Sequence, residues 1–180
     1  GVGSSELLES LQIGTQVDPD PIEIHFDPKV TLMTRATYES NLAKIRELQH
    51  QLSNVIPREI AAARSLGDLA ENAEYRAARE RQGIVAAALR SLQAQMEGAR
   101  VIEDLVFPED LSAVGTEVTV RDLERGDEHT YWILGHGDSV QDSHVINYRA
   151  PLGQALVGKR VGDVVSWTLS PWPRARPTDC

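Results

Sequence analysis

Between Thr34 and Ala99, apolar residues recur at helical spacing in two long runs, and Gly67 separates them. In the first run Tyr38, Leu42, Ile45, Leu52 and Ile56 fall on one stripe, with Leu48 and Val55 beside it. Thr34 or Thr37 can cap its start. In the second run Ala78, Val85, Leu89, Leu92, Met96 and Ala99 keep heptad spacing, with Gln82 at the intervening position. Two such stripes joined by a few residues bury their apolar faces against each other, which predicts an antiparallel helical hairpin. Arms of about 30 residues span about 45 Å. Ala63, Ala77, Ala78 and Ala88 on the seam allow close approach. Pro57 lies inside the first stripe, where it removes a backbone donor and clashes with the preceding turn. The helix must kink or restart there.

Beyond Pro108 the pattern changes. "GTEVTV" alternates Val118 and Val120, "RGDE" is a turn, and "HTYWILG" and "SHVINY" read as strands. "PLGQALVGKRVGDVVSWTL" reads as a short helix, a turn at Gly162-Asp163 and a strand. The chain is therefore expected to be α+β: a long antiparallel helical hairpin over 34–104, then a small, mainly antiparallel sheet with a short helix over 105–180. Pro171, Pro173 and Pro177 each lack a ladder donor, so the sheet's last edge is absent or replaced. Residues 1–33 read as an acidic extension whose composition favours partial disorder. Within it, Leu7, Leu8 and Leu11 have the spacing of a short helix, and Ile22, Ile24 and Phe26 alternate like a brief strand.

A net charge of −9 excludes a general polyanion binder, so any nucleic-acid contact must be local. Cys180 is the single cysteine and makes no internal disulfide. No apolar run approaches the roughly 18 residues of a membrane span, and no basic-then-apolar leader pattern is seen. The expectation is a cytoplasmic protein with no membrane partner. The five histidines have no metal-ligand spacing, and neither a phosphate loop nor a nucleophile elbow is present.

The hairpin turn, "SLGDLAENAEYRAARERQG", carries the one constellation with chemical potential. Gly67 suits the residue after a helix end. Asp68 and Glu71 then have the spacing of a capping box for the second arm. The same two carboxylates, solvated at a turn, are oxygen ligands for a hard divalent cation. Mg²⁺ needs about six such ligands, so two acids can only complete a site that another macromolecule holds. If they do chemistry, the protein is an accessory that donates ligands and not an enzyme in itself.

"IAAARSLGDLAENAEYRAARERQG" resembles the tip motif of the bacterial GreA/GreB transcript-cleavage factors, and "APLGQALVGKRVGDVV" resembles a motif of the same family's C-terminal domain. Together the resemblance covers about residues 33–170. It implies a coiled-coil hairpin followed by an FKBP-like domain that docks on bacterial RNA polymerase. The hairpin then enters the secondary channel, and its acidic tip helps hold Mg²⁺ for cleavage of the backtracked nascent RNA 3′ end. By this resemblance Asp68 and Glu71 match the catalytic, metal-sharing acids. Gly67, Asn72 and Tyr75 match tip-shaping positions. Arg64 and Arg79 match a basic patch that meets RNA, although the arginines also fit a solvated face with pairs such as Arg76–Glu80. Pro151 and Leu152 match a polymerase-facing loop, in which Ala150 stands where the family usually has serine. A monomer is expected. Two other readings remain open: a channel-occupying regulator that does not promote cleavage, and a helical and FKBP-like binding module unrelated to transcription.

Overall fold

A computed structural model describes residues 26–138 and 143–167 and the backbone of 9–13. The chain forms two compact units. One holds Lys29–Thr31 and Arg35–Arg100. The other holds Leu32–Thr34, the chain from Val101 onward and the strand at Glu9–Ile13. The described chain passes between them within two short strands, β2 (Thr31–Met33) and β3 (Ala99–Val101).

The helical unit consists of α1 (Arg35–His50), a π-helical turn (Gln51–Val55), α2 (Ile56–Arg64) and α3 (Ala73–Glu97). The π turn is the structural answer to Pro57. The Ile56 N–H reaches back five residues to the Gln51 carbonyl, and Pro57 falls in the first turn of α2, where its missing donor costs little. α3 packs along α2, the π turn and α1. The contacts run in reverse order: Arg81 pairs with Glu59 near the turn, and Asn41 Nδ2 reaches Met96 Sδ at 3.5 Å near the far end. The arms are therefore antiparallel. Ile56, Ile60, Ala78 and Val85 are buried between them, with Leu48, Leu52 and Tyr75 packed alongside. Tyr38, Leu42, Ile45, Leu89 and Leu92 are only half-buried, as expected of a seam between two helices. At the base of this unit the Thr31 N–H donates to the Gly98 carbonyl at 2.9 Å.

The second unit is built on a five-stranded sheet of order β6-β5-β4-β1-β7. Its strands are β1 (Glu9–Ile13), β4 (Glu117–Asp122), β5 (Glu128–Leu134), β6 (Val145–Asn147) and β7 (Asp163–Trp167), with α4 at Pro151–Leu156. β4 and β5 form an antiparallel hairpin with Glu117 opposite Trp132 and Arg121 opposite Glu128. β6 pairs with β5 in parallel, the one departure from an antiparallel sheet. Along β4, Val118 and Val120 are buried while Glu117, Thr119 and Arg121 are exposed, as the alternation requires. Ile133, Tyr148, Leu156 and Val165 complete the core. The Leu32 N–H donates to Tyr148 Oη at 3.1 Å, and Phe26 meets the Tyr148 ring edge-on at 4.8 Å. Helical spacing around Leu8 and Leu11 is overruled: Glu9–Ile13 is a strand, since Leu11 and Ile13 alternate equally well with Ser10 and Gln12. Ile22, Ile24 and the prolines at 171, 173 and 177 lie outside the described residues. Among the described residues no helix is long and apolar enough to cross a membrane.

The β4–β5 turn is held by Asp122. Its Oδ1 accepts from the Arg125 N–H at 3.0 Å and the Glu124 N–H at 2.8 Å. These backbone donors, Arg125 first, hold its carboxyl below the ordinary 3.8. A carboxyl depressed on folding stabilises the fold fully above its unfolded value, and the contribution is lost as pH falls through the lower folded value. The unfolding free energy is thus expected to decline as pH drops below 3.8, and Asp122→Ala to flatten that decline. Denaturant titrations of both proteins across the acid range check this.

Candidate functional site

The turn between α2 and α3 is organised by one buried side chain. Asn72 is 8% exposed. Its Oδ1 accepts from the Tyr75 N–H at 2.9 Å, which caps α3, and its Nδ2 donates to the Ala63 carbonyl at 2.6 Å, which satisfies the end of α2. One amide thus ties the two helix ends together and closes the loop between them. The capping-box reading of Asp68 and Glu71 is corrected by this geometry: α3 begins at Ala73, and Asn72 takes the capping role. Asn caps as well as Asp does, and its amide, unlike a carboxylate, supplies both the acceptor for Tyr75 and the donor for Ala63.

Relieved of capping, the acids sit in the loop itself. Asp68 and Glu71 are exposed. Asp68 Oδ1 accepts from the Ala70 N–H at 3.0 Å, a local turn that fixes the carboxylate against its own backbone. Gly67 has φ +106°, a left-handed conformation that a side chain strains, and it directs the chain out of the helix end. Leu66 and Leu69 are also exposed in this loop, at 68% and 44%.

The flanking residues divide. Arg64 lies over the Tyr75 ring with its guanidinium carbon 5.7 Å from the ring centroid, so Tyr75 anchors a cation beside the loop. Arg79 is exposed and donates through Nη1 to Gln82 Oε1 at 2.8 Å. Arg81 pairs across the arms with Glu59, a pairing that spacing within one helix does not reveal. In the second unit Pro151 opens α4 and is exposed, and Leu152 is half-buried. Ala150 caps α4 with backbone alone: the Gln154 N–H donates to its carbonyl at 2.8 Å. Gln154 Nε2 also bonds the Arg149 carbonyl, and Asn147 Oδ1 accepts from the Arg149 N–H, both at 3.0 Å. Arg149, exposed and set over the Tyr148 ring at 5.5 Å, is a cation beside Pro151 that pattern reading did not single out.

As ligands for a divalent cation, the loop acids have the right chemistry and too few members. Both are carboxylates open to solvent, but no group of three or more His, Cys, Asp or Glu side chains among the described residues is placed to hold a metal ion.

Removal of the Asn72 amide is expected to cost about 2 kcal/mol, combining a lost cap with a lost bond to the Ala63 carbonyl, which keeps its bond from the Leu66 N–H. Asn72→Ala should therefore unfold at lower denaturant, read by the helical circular-dichroism signal. An unchanged midpoint would mean that Asn72 does not brace the turn.

Residues 31–101 match the family model described as transcription elongation factor, N-terminal, and residues 108–171 match the model for the GreA/GreB C-terminal part. The chain is 38% identical over 133 residues to the transcription elongation factor GreA of Paracoccus denitrificans, covering 74% of this chain and 85% of that protein. It is 34% identical over 137 residues to that of Thermotoga neapolitana, covering 76% and 87%. The solved structure of GreA factor homolog 1 (Gfh1) of Thermus thermophilus aligns at 18% identity with a TM-score of 0.37, covering 77% of this chain and 96% of that one. With both halves matched in order and identity sustained over three quarters of its length, the chain belongs to the GreA/GreB family of transcription elongation factors.

Proposed function

We propose that this protein binds bacterial RNA polymerase through the secondary channel and stimulates cleavage of backtracked nascent RNA. The observation that carries this reading is the pair of exposed carboxylates, Asp68 and Glu71, in a loop braced by Asn72 and free of helix-capping duty. In this reading the helical unit is a coiled-coil spike and the second unit an FKBP-like docking module that uses Pro151 and Leu152. Asp68 and Glu71 hold Mg²⁺ together with groups of the polymerase. When bound, the ion supplies stabilisation of charge on the attacking and leaving oxygens. The chain's own residues position that pair: Asn72 fixes the loop, Gly67 sets its exit, and Tyr75 holds Arg64 where it meets RNA phosphates. Arg79 adds a second cation, on α3. The factor acts as a cytoplasmic monomer and contributes no complete active site of its own.

A prolyl-binding module is disfavoured. A cleft of ≈ 690 Å³ in the second unit is lined by residues such as Glu109, Ser112, Val120, Arg121 and Lys159, with no aromatic side chain among the described residues that line it.

The test is addition of the protein with Mg²⁺ to stalled bacterial elongation complexes. Shortened RNA that then resumes extension supports cleavage stimulation. Intact RNA with synthesis blocked identifies a channel-occupying regulator instead, and no effect together with no capture of core polymerase removes the transcriptional reading altogether.

A further inference from the structure

β1 occupies an interior position in the sheet, antiparallel to both neighbours. It faces β7 in continuous register from Glu9↔Trp167 to Ile13↔Asp163, and it faces β4 at Leu11↔Asp122 and Gln12↔Arg121. Among the described strands β7 lies at the edge, with β1 as its one neighbour. Sequential strands usually lie side by side, and a natural neighbour for β7 is the chain that follows it. That segment carries Pro171, Pro173 and Pro177, each without a ladder donor. The place is filled instead from about 150 residues upstream, by a segment with alternating Leu11 and Ile13.

We propose that the second unit is a strand acceptor, with a slot between β4 and β7 that takes one extended peptide, and that its ligand is residues 9–13 of the same chain. Recognition is of the strand-addition kind. Backbone hydrogen bonds to two flanking strands give affinity, and alternation gives register. An interior strand turns every N–H toward one neighbour or the other, so one missing donor disturbs the ladder. Without β1, β7 has no ladder partner among the described strands, although it carries the buried Val165 and packs against α4. α4 begins at Pro151. Occupancy of the slot therefore sets whether the Pro151–Leu152 surface is formed, a consequence that rests on the docking role proposed above.

The direct test exploits register. Ser10 and Ser166 are opposite one another across β1 and β7. In a Cys180→Ser background, Ser10→Cys with Ser166→Cys is expected to form a disulfide within one chain on mild oxidation, at monomer mobility on a non-reducing gel. Gln12→Cys with Ser166→Cys, out of register, is expected to link far less. A link found only between two chains, or none, overturns the proposal. A second arm uses Leu11→Pro in the full chain. Amides of β7 are expected to exchange at least tenfold faster while those of α3 are unchanged. Unchanged β7 exchange overturns the proposal. Neither arm involves polymerase, so failure here is distinct from failure of the cleavage reading. Capture of polymerase by Leu11→Pro is expected to weaken at least tenfold, and undiminished capture overturns the link between slot and docking surface.

Discussion

Stalled elongation complexes given the Asp68→Ala, Glu71→Ala double variant are expected to shorten their RNA no faster than complexes given no factor. The loss relative to the unaltered protein should be on the order of 10²-fold or more, the scale seen when a group that stabilises transition-state charge is deleted. The geometry makes this a clean experiment. Had the two acids formed a capping box, their removal would also have frayed α3, and lost cleavage would have been confounded with lost structure. Asn72 caps α3, and both acids are exposed. The double variant should keep its unfolding free energy within about 0.5 kcal/mol of the original. Capture of core polymerase should survive, because the docking residues proposed here, Pro151 and Leu152, lie in the other unit. Equal losses of capture and cleavage would show that the acids support binding and not chemistry.

The helical arms were legible because a two-helix seam leaves its period in the sequence. Tyr38 to Ile56 and Ala78 to Met96 could pack in few other ways, although Ala99, read as the end of the second stripe, falls beyond α3 in β3, and Pro57 marked where the first arm changes its hydrogen-bonding pattern. The hairpin β4–β5 and helix α4 were equally plain, from the alternation of Val118 and Val120 and from Pro151 at a helix start. What the sequence hid were choices between near-equivalent local options. Asp68 and Asn72 are equally good caps, and the second contact of Asn72, nine residues back at Ala63, depends on how the chain turns. The segment around Leu11 satisfies a helical and a strand pattern at once, and only the slot between β4 and β7 decides it. The Arg81–Glu59 pair is likewise a product of arm-to-arm register.

Gly135→Ala is expected to unfold the second unit at markedly lower denaturant, with a loss of about 3 kcal/mol or more, the upper range for forced overpacking. Gly135 follows β5 where the backbone of Leu32 and Met33 passes directly over it. A Cβ there would lie 1.8 Å from the Leu32 carbonyl oxygen, 2.5 Å from its carbonyl carbon and 2.8 Å from the Met33 Cα. All three are backbone atoms, so no side-chain rotation relieves the conflict. The two segments must part by more than an ångström. That movement strains the His136 N–H contact to the Leu32 carbonyl and the Leu32 N–H bond to Tyr148 Oη. It also disturbs the neighbouring anchor, in which the Asp138 carboxylate accepts from the Gly135 N–H at 2.8 Å and the Thr34 N–H at 3.0 Å. Leu32, Met33 and Tyr148 are buried, so the separation admits water to a core and not to a surface loop. Loss of near-ultraviolet signal from Tyr148 and faster exchange of β5 amides, with the helical signal of α3 retained, would mark the damage as confined to this unit. A midpoint unchanged from the parent protein would mean that Leu32 does not pass this close to Gly135 in solution.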